Sequence, residues 1–238
     1  MNEQSRVLLQ EAYLLHRRNY RETSLLLEFL TRSHGRVRLI GKGTRRQKSS
    51  FAAVLWPFVP LRISWSGRGE LPVMVCAERF RSQTISDPKG LACGLYLNEL
   101  VIHLTAPRDP HPRIFTLYDD TVRKLSTGHD RETTLRFFEL TFLEEIGYAL
   151  TLDNEIRTGL PVHPDKFYVY VTEQGPVESE PTRTGSVRGS TLLALKDRVL
   201  TTSSELTEAK RLMRKVIAHH LGGRSLRTRE LFGYSPHP

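Results

Sequence analysis

The sequence predicts an α+β protein: a small five-stranded β-barrel at the N-terminus, followed by a mainly α-helical C-terminal domain. Three observations point there. The first 80 residues break into short apolar runs separated by glycine-containing turns. After residue 85 the apolar spacing lengthens from two to between three and four, the helical period. Residues 203–223 form a long amphipathic stretch closed by Gly222-Gly223.

The strands come first. AYLLHRRNY (12–20) begins apolar and ends in a basic, turn-like cluster. SLLLEFLT (24–31) is a buried run, stopped by Ser33-His34-Gly35, a hairpin signal. RVRLIGKG (36–43) alternates, with Val37, Leu39 and Gly41 on one face and Arg36, Arg38, Ile40 and Lys42 on the other. That pattern predicts a half-buried strand with a basic outer face. Residues 58–80 read as two strands joined at Ser66-Gly67-Arg68-Gly69. Five strands with glycine turns suit a Greek-key barrel of the OB type, with an SH3-like barrel as the competitor that pattern alone leaves open.

Ser86-Asp87-Pro88 marks a helix start, which places a boundary near residue 82: residues 1–82 the barrel, 83–238 the helical domain. Residues 91–104 and 114–125 read as helices on either side of a proline-marked loop. In 131–148, Leu135, Phe138, Phe142 and Ile146 share one face and Gly147 ends the helix. The middle region, about 150–200, predicts loops, a short strand or two and one short helix. In the last helix Ser204 is the expected N-cap, with Glu205 and Glu208 in the first turn, where the helix dipole favours acids.

Composition narrows the function classes. The 238 residues are 39% hydrophobic and 26% charged, enough for a real core. No apolar run approaches the ~18 residues that a membrane span needs, and the N-terminus does not read as a signal peptide. A cytoplasmic protein is expected. Cys76 and Cys93 are too few for a disulfide framework or a four-cysteine zinc site, and read as buried small hydrophobes. The net charge of +9 gathers at the two ends: residues 1–80 carry +8 and 201–238 carry +4, around a slightly acidic middle. Two basic ends imply a polyanionic partner, most simply nucleic acid.

The densest cation cluster is GKGTRRQKSS (41–50), with Lys42, Arg45, Arg46 and Lys48 and no acid. Its spacing is not that of a Walker A loop, since Lys42 precedes the second glycine. Gly67-Arg68-Gly69 lacks the third glycine of a dinucleotide fingerprint. The nine histidines show no metal-ligand spacing, and Glu144-Glu145, adjacent on a helix, cannot face each other as acid and base. No catalytic constellation emerges, so no enzyme and no cofactor are expected. What remains is a flexible loop that contacts phosphate, on a barrel whose Arg17, Arg18, Arg36 and Arg38 extend the same charge. Trp56 and Trp65 lie among apolar residues and are expected in the core rather than as stacking platforms.

Several stretches together resemble the RecO family of bacterial recombination and repair proteins. They are 12–50, with Glu22-Thr23-Ser24, Gly35-Arg36 and Lys42-Gly43; WPFVPLRISWSGRGEL (56–71); GLYLNEL (94–100); LRFFELTFLEEIGY (135–148); and HLGGRSLRTRELF (220–232). Each is weak alone, but their order over nearly the whole chain is specific. The resemblance selects the OB barrel over the SH3-like one. It implies a non-enzymatic mediator that binds single- and double-stranded DNA and anneals strands coated by single-strand-binding protein. Such proteins act with RecR, and often RecF, to load RecA.

On that reading the DNA-binding residues are Arg36, Arg38, Lys42, Arg45, Arg46 and Lys48, then Arg17, Arg18 and Arg68. Lys210, Arg211, Arg214 and Lys215, with Arg224, Arg227 and Arg229, make a second basic surface. Arg136, in the L-R-x-F-E-L segment, matches a family position implicated in docking the acidic tail of single-strand-binding protein; a surface pair with Glu132, Glu139 or Asp130 is the alternative. Some family members carry a four-cysteine zinc site. Here Glu155 and Thr158 stand where its first cysteine pair would fall, so a zinc-free chain is expected. The competing function is a protein-interaction adaptor for acidic tails, with DNA contact incidental.

Overall fold

The computed structural model describes residues 6–46, 51, 53–82, 84–128 and 130–232, except the side chains of 229 and 232. Lys48 therefore lies outside the described residues. The chain divides into two compact units, residues 1–129 with 226–238, and residues 130–225.

The first unit is built on the barrel. β1 (Arg6–Tyr20), β2 (Ser24–Thr31), β3 (Gly35–Gly41), β4 (Leu61–Ser66) and β5 (Val73–Arg79) close in the order β1-β2-β3-β5-β4. Four pairings are antiparallel, and β3 meets β5 in parallel at Ile40 and Val73. This is the OB-fold. Alternation does what the sequence predicts: Ala12, Leu14, Leu27, Phe29, Val37, Leu39, Leu61, Ile63, Trp65 and Met74 fill one core. β1 starts six residues earlier than the sequence suggests. Register shifts at Val7/Gln10 and Leu14/His16 bend it, so that one strand pairs with β4 at one end and β2 at the other. Those same bulges break the period-two pattern and hide the early part of the strand.

The apolar stretch after the basic loop is not a strand. It turns at Phe51–Leu55, where Leu55 N donates to Phe51 O at 3.0 Å. Leu55 and Val59 then plug the barrel, 1% and 2% exposed. α1 (Pro88–Leu104), capped by Asp87, and α2 (Pro112–Thr127) dock on the barrel wall. Gly94 permits the docking: a Cβ there would lie 2.7 Å from the Phe58 ring. Asn98 of α1 donates to the Leu15 carbonyl at 2.8 Å and accepts from the Tyr118 hydroxyl at 2.5 Å. Tyr13 donates to Asp119, which also receives Arg81 and Arg123. Burial, then the carboxylate, push the Tyr13 phenol far above its ordinary value. The chain returns to this unit at its end, in a 3-10 turn over Arg227–Phe232.

The second unit contains α3 (Arg131–Glu145), a sheet of β6 (Phe167–Val171), β7 (Gly175–Ser179) and β8 (Ser186–Arg188) in the order β7-β6-β8, α4 (Gly189–Lys196) and α5 (Ser203–His220). The region read as mostly loops thus holds three strands. β8 is only three residues long, too short for periodicity to register. α5 buries Ala209, Leu212, Met213, Val216 and Ile217 as its stripe predicts, but its N-cap is Thr202. The Thr202 hydroxyl accepts from Glu205 N at 3.2 Å while Glu205 reaches back to Thr202 N at 2.9 Å. This reciprocal box leaves Ser204 inside the helix.

Candidate nucleic-acid interface

Folding concentrates the charge more sharply than the sequence does. The first unit holds 22 Lys/Arg against 12 Asp/Glu, and the second 13 against 14. The excess of cations therefore belongs wholly to the unit that carries the barrel.

One cleft gathers part of it. Arg17, Arg18 and Asn19 come from the end of β1, and Leu25 from the start of β2. Thr44 and Arg45 come from the loop after β3, and Leu55 and Trp56 from the plug. The cleft has a volume of about 410 Å³. Register explains Arg17: it sits opposite Leu27, on the face that otherwise fills the core. Its guanidinium emerges at the plugged end, donates to the Leu55 carbonyl at 2.9 Å and lies 4.8 Å from the centre of the Trp56 ring.

The described part of the basic loop is an ordered turn rather than a free arm. Thr44 is buried and donates to the Gly41 carbonyl at 2.8 Å. Arg45 N donates to Thr23 O at 3.1 Å, which hangs the loop on the β1–β2 turn. A Cβ on Gly41 would lie 2.7 Å from Thr44 Cγ2, so glycine serves close approach here. Lys42, Arg45 and Arg46 project outward from this turn.

Arg36 and Arg38 share the outer face of β3 and meet different ends. Arg38 is half-exposed, with Nε 3.4 Å from Glu28. Arg36 is buried, held by Glu28 and by Thr105 at the end of α1. Burial, then the neighbouring Arg38 charge, lower it to about 10, so it remains a cation at neutral pH. A guanidinium enclosed in this way does not reach a phosphate. Arg68 stands exposed on the β4–β5 turn, away from the cleft lining.

Arg227 joins the barrel's charge from the far end of the sequence. Burial, then Arg18 and Arg227, lower His16 below its ordinary value, which puts both cations near that imidazole. The 3-10 turn is fixed by Glu99 of α1, which accepts from Arg227 N and Thr228 N at 3.0 Å each and from the Thr228 hydroxyl at 2.5 Å.

In the second unit most of the expected basic surface is engaged with the fold. Lys210 pairs with Glu132 at 2.7 Å, Lys215 donates to Tyr170 O at 2.7 Å, and Arg211 donates to Ser186 O. Arg214 is exposed on α5. Arg136 is buried on α3 and pairs with Glu139 at 2.5 Å. Glu155 and Thr158 tie one turn together: the carboxylate accepts from the Thr158 hydroxyl at 2.6 Å and from Thr158 N at 2.7 Å. Among the described residues no three His, Cys, Asp or Glu side chains group as metal ligands, and no helix is long and apolar enough to cross a membrane.

Sequence reasoning placed the aromatic residue of the cleft in the core. Trp65 is in the core as expected, 6% exposed, but Trp56 is 52% exposed. Its apolar neighbours Leu55 and Phe58 are buried, while the turn geometry points Trp56 outward. The signal available was its place beside the most cationic loop, which apolar flanks outweighed.

Comparison with known proteins agrees with this architecture. Residues 6–81 match the family described as Recombination protein O N terminal, and residues 85–230 match Recombination protein O C terminal. The chain is 53% identical to the DNA repair protein RecO of Methylococcus capsulatus, over 96% of this chain and 94% of that one. It is 42% identical to that of Nitrosococcus oceani (95% and 93%) and 40% identical to that of an Azoarcus strain (97% of each).

Proposed function

The chain belongs to the RecO family of DNA repair proteins, and from that premise we propose that it is a non-enzymatic mediator that binds DNA and anneals complementary strands coated by single-strand-binding protein. With RecR, and often RecF, it promotes loading of RecA onto the DNA. Its place of work on this reading is the cytoplasm, on the nucleoid.

The observation that carries the reading is the segregation of charge onto the barrel unit, where Arg17, Arg18 and Arg45 line one cleft. Annealing must bring two polyanions together. Exposed guanidinium and ammonium groups neutralise phosphates and release counterions, without reading bases. Arg17, Arg18, Arg38, Lys42, Arg45 and Arg46 are the proposed phosphate contacts, joined by Arg227 and, from its place in the basic sequence 41–50, by Lys48; Arg68 extends the surface. Arg36 orders the strand that carries Arg38. Arg214 and its neighbours on α5 are proposed to meet a second strand or a protein partner. The acidic tail of single-strand-binding protein is proposed to dock on the second unit at Arg136, whose pair with Glu139 must open to admit a carboxylate.

The test is an annealing assay with complementary oligonucleotides coated by single-strand-binding protein. The protein should accelerate annealing, and a variant with Arg18, Arg45 and Arg46 all changed to Ala should lose most of that acceleration while melting at the same temperature. Equal rates for the two proteins would remove the barrel face from the mechanism.

A further inference from the structure

We infer that the cleft at the plugged end of the barrel is a single-strand-selective nucleotide site, in which Trp56 is the platform on which one unstacked base lies. This deepens the proposed DNA binding and rests on it.

The first ground is the tryptophan itself. A large aromatic ring standing half in water beside fixed cations offers a face on which a base can stack. Trp56 is 52% exposed, and the turn that holds it is fixed by the burial of Leu55 at 1%. The indole is thus presented outward by a turn anchored in the barrel core through Leu55 and Val59. Arg17 lies over the ring at 4.8 Å and is itself held by the Leu55 carbonyl at 2.9 Å. A guanidinium fixed over an aromatic ring adds cation–π character to the platform.

The second ground is the shape and charge of the surroundings. A cleft of about 410 Å³ is at the lower end of the range for small-molecule sites and suits about one nucleotide. Arg18 and Arg45 stand on its walls, placed for the phosphates on either side of a stacked base, and among the described residues no acid lines it. Every base has a π face, so stacking adds affinity without sequence preference. A duplex cannot use the site, because its base faces are already stacked and only edges and phosphates are presented. The remaining cations accept either form of DNA, and the cleft supplies the preference for the unpaired strand. That preference is useful to an annealer, since a base held on Trp56 is released to its partner as the duplex forms.

Tryptophan fluorescence gives a direct readout, because Trp65 is 6% exposed and Trp56 is the indole that solvent reaches. Titration with an oligothymidylate should quench the emission and protect it from iodide. An equal-length duplex, or inorganic polyphosphate, should bind at low salt with little change in emission. Trp56→Ala should weaken oligothymidylate binding roughly 5- to 100-fold, and Trp56→Phe should restore most of it. Duplex affinity should change less than twofold in both variants, and the Trp65 emission should report an intact core. Oligothymidylate affinity unchanged in Trp56→Ala, or equal quenching by duplex and polyphosphate, would overturn the platform while leaving DNA binding in place. A wild-type protein that binds neither form at low salt would end both readings.

Discussion

Arg36 donates from Nε to the Thr105 hydroxyl at 3.0 Å and from Nη2 to the Thr105 carbonyl at 2.7 Å. Thr105 is the C-cap of α1, so the guanidinium sits at the negative end of that helix while Glu28 takes its other side. Two residues along the same face, Arg38 is half-exposed. The two should therefore separate in experiment. Arg36→Ala removes one partner of a buried pair and should destabilise the protein by roughly 2–4 kcal/mol. Arg38→Ala should change stability by less than about 0.5 kcal/mol and instead weaken DNA binding. Chemical denaturation beside a DNA titration checks both, and equal stability losses would contradict the assignment.

Arginines in the cleft and on the basic loop should set the salt dependence. Each phosphate contact to a single strand contributes about 0.7 to the slope of log affinity against log salt. Replacing Arg18, Arg45 and Arg46 by Ala should flatten that slope by about 2. Fluorescence anisotropy of a labelled oligonucleotide across a salt series measures it. A slope equal to wild type would place the phosphates elsewhere.

The contrast between Arg36 and Arg38 also shows what the sequence could and could not carry. Alternation in RVRLI correctly assigns Val37 and Leu39 to the core, because the period of a strand is local. What covers the outer face is not local. The 105–109 connection lies over Arg36 and stops short of Arg38, and no periodicity in residues 36–40 records that. Strand order is equally long-range, so pattern alone left OB and SH3-like barrels open until the β3–β5 pairing settled the matter. Trp56 failed for a different reason. Apolar neighbours predict burial only where the backbone is regular, and here a tight turn buries Leu55 and Phe58 but exposes Trp56. The approach of Arg227 to His16 joins residues more than two hundred apart, and only folding brings them near.

His16 should report DNA through its titration. Burial, then Arg18 and Arg227, hold its folded-state pKa below the ordinary 6.5. The unfolded chain therefore takes up this proton first as the pH falls, and His16 makes the fold less stable on acidification below about 6.5. Bound phosphate has the opposite effect: it screens both cations and favours the imidazolium. DNA should raise the His16 pKa, and binding should tighten as pH drops through that window. NMR titration of the ring with and without an oligonucleotide, assigned by His16→Gln, tests this. An unchanged His16 pKa would place the DNA away from Arg18 and Arg227.

Arg136 and Glu139 allow docking to be separated from folding. The pair is almost fully enclosed, so Arg136→Ala leaves a buried carboxylate and should cost about 3–5 kcal/mol. Loss of tail binding in that variant would therefore be ambiguous. Glu139→Gln keeps the shape and removes the competitor for the guanidinium. If the tail of single-strand-binding protein docks at Arg136, this variant should bind a tail peptide several-fold more tightly, with naked-DNA affinity unchanged. Calorimetric titration of the peptide decides, and weaker binding in Glu139→Gln would show that the intact pair is only structural. Loss of DNA and peptide binding together in either variant would contradict separate sites and favour an adaptor whose one basic face takes both.

Glu99 offers a test in which simple electrostatics and the structure predict opposite signs. Removing an acid from a basic protein ordinarily strengthens its attraction for DNA. Glu99, however, holds the start of the 3-10 turn through Arg227 N, Thr228 N and the Thr228 hydroxyl, and so fixes Arg227 near His16 and Arg18. Glu99→Ala leaves two backbone donors without their acceptor and should release the segment from α1. Leu226, 3% exposed in the intact protein, should become accessible to limited proteolysis along with the residues after it. Arg227 then leaves the barrel face, and DNA affinity should fall two- to fivefold despite the gain of one net positive charge. His16 should rise toward its ordinary pKa in the same variant, because one of the two cations that depress it has moved away. Tighter DNA binding by Glu99→Ala, with His16 unchanged, would mean that Arg227 contributes nothing to the interface and that the clip serves only to anchor the chain end.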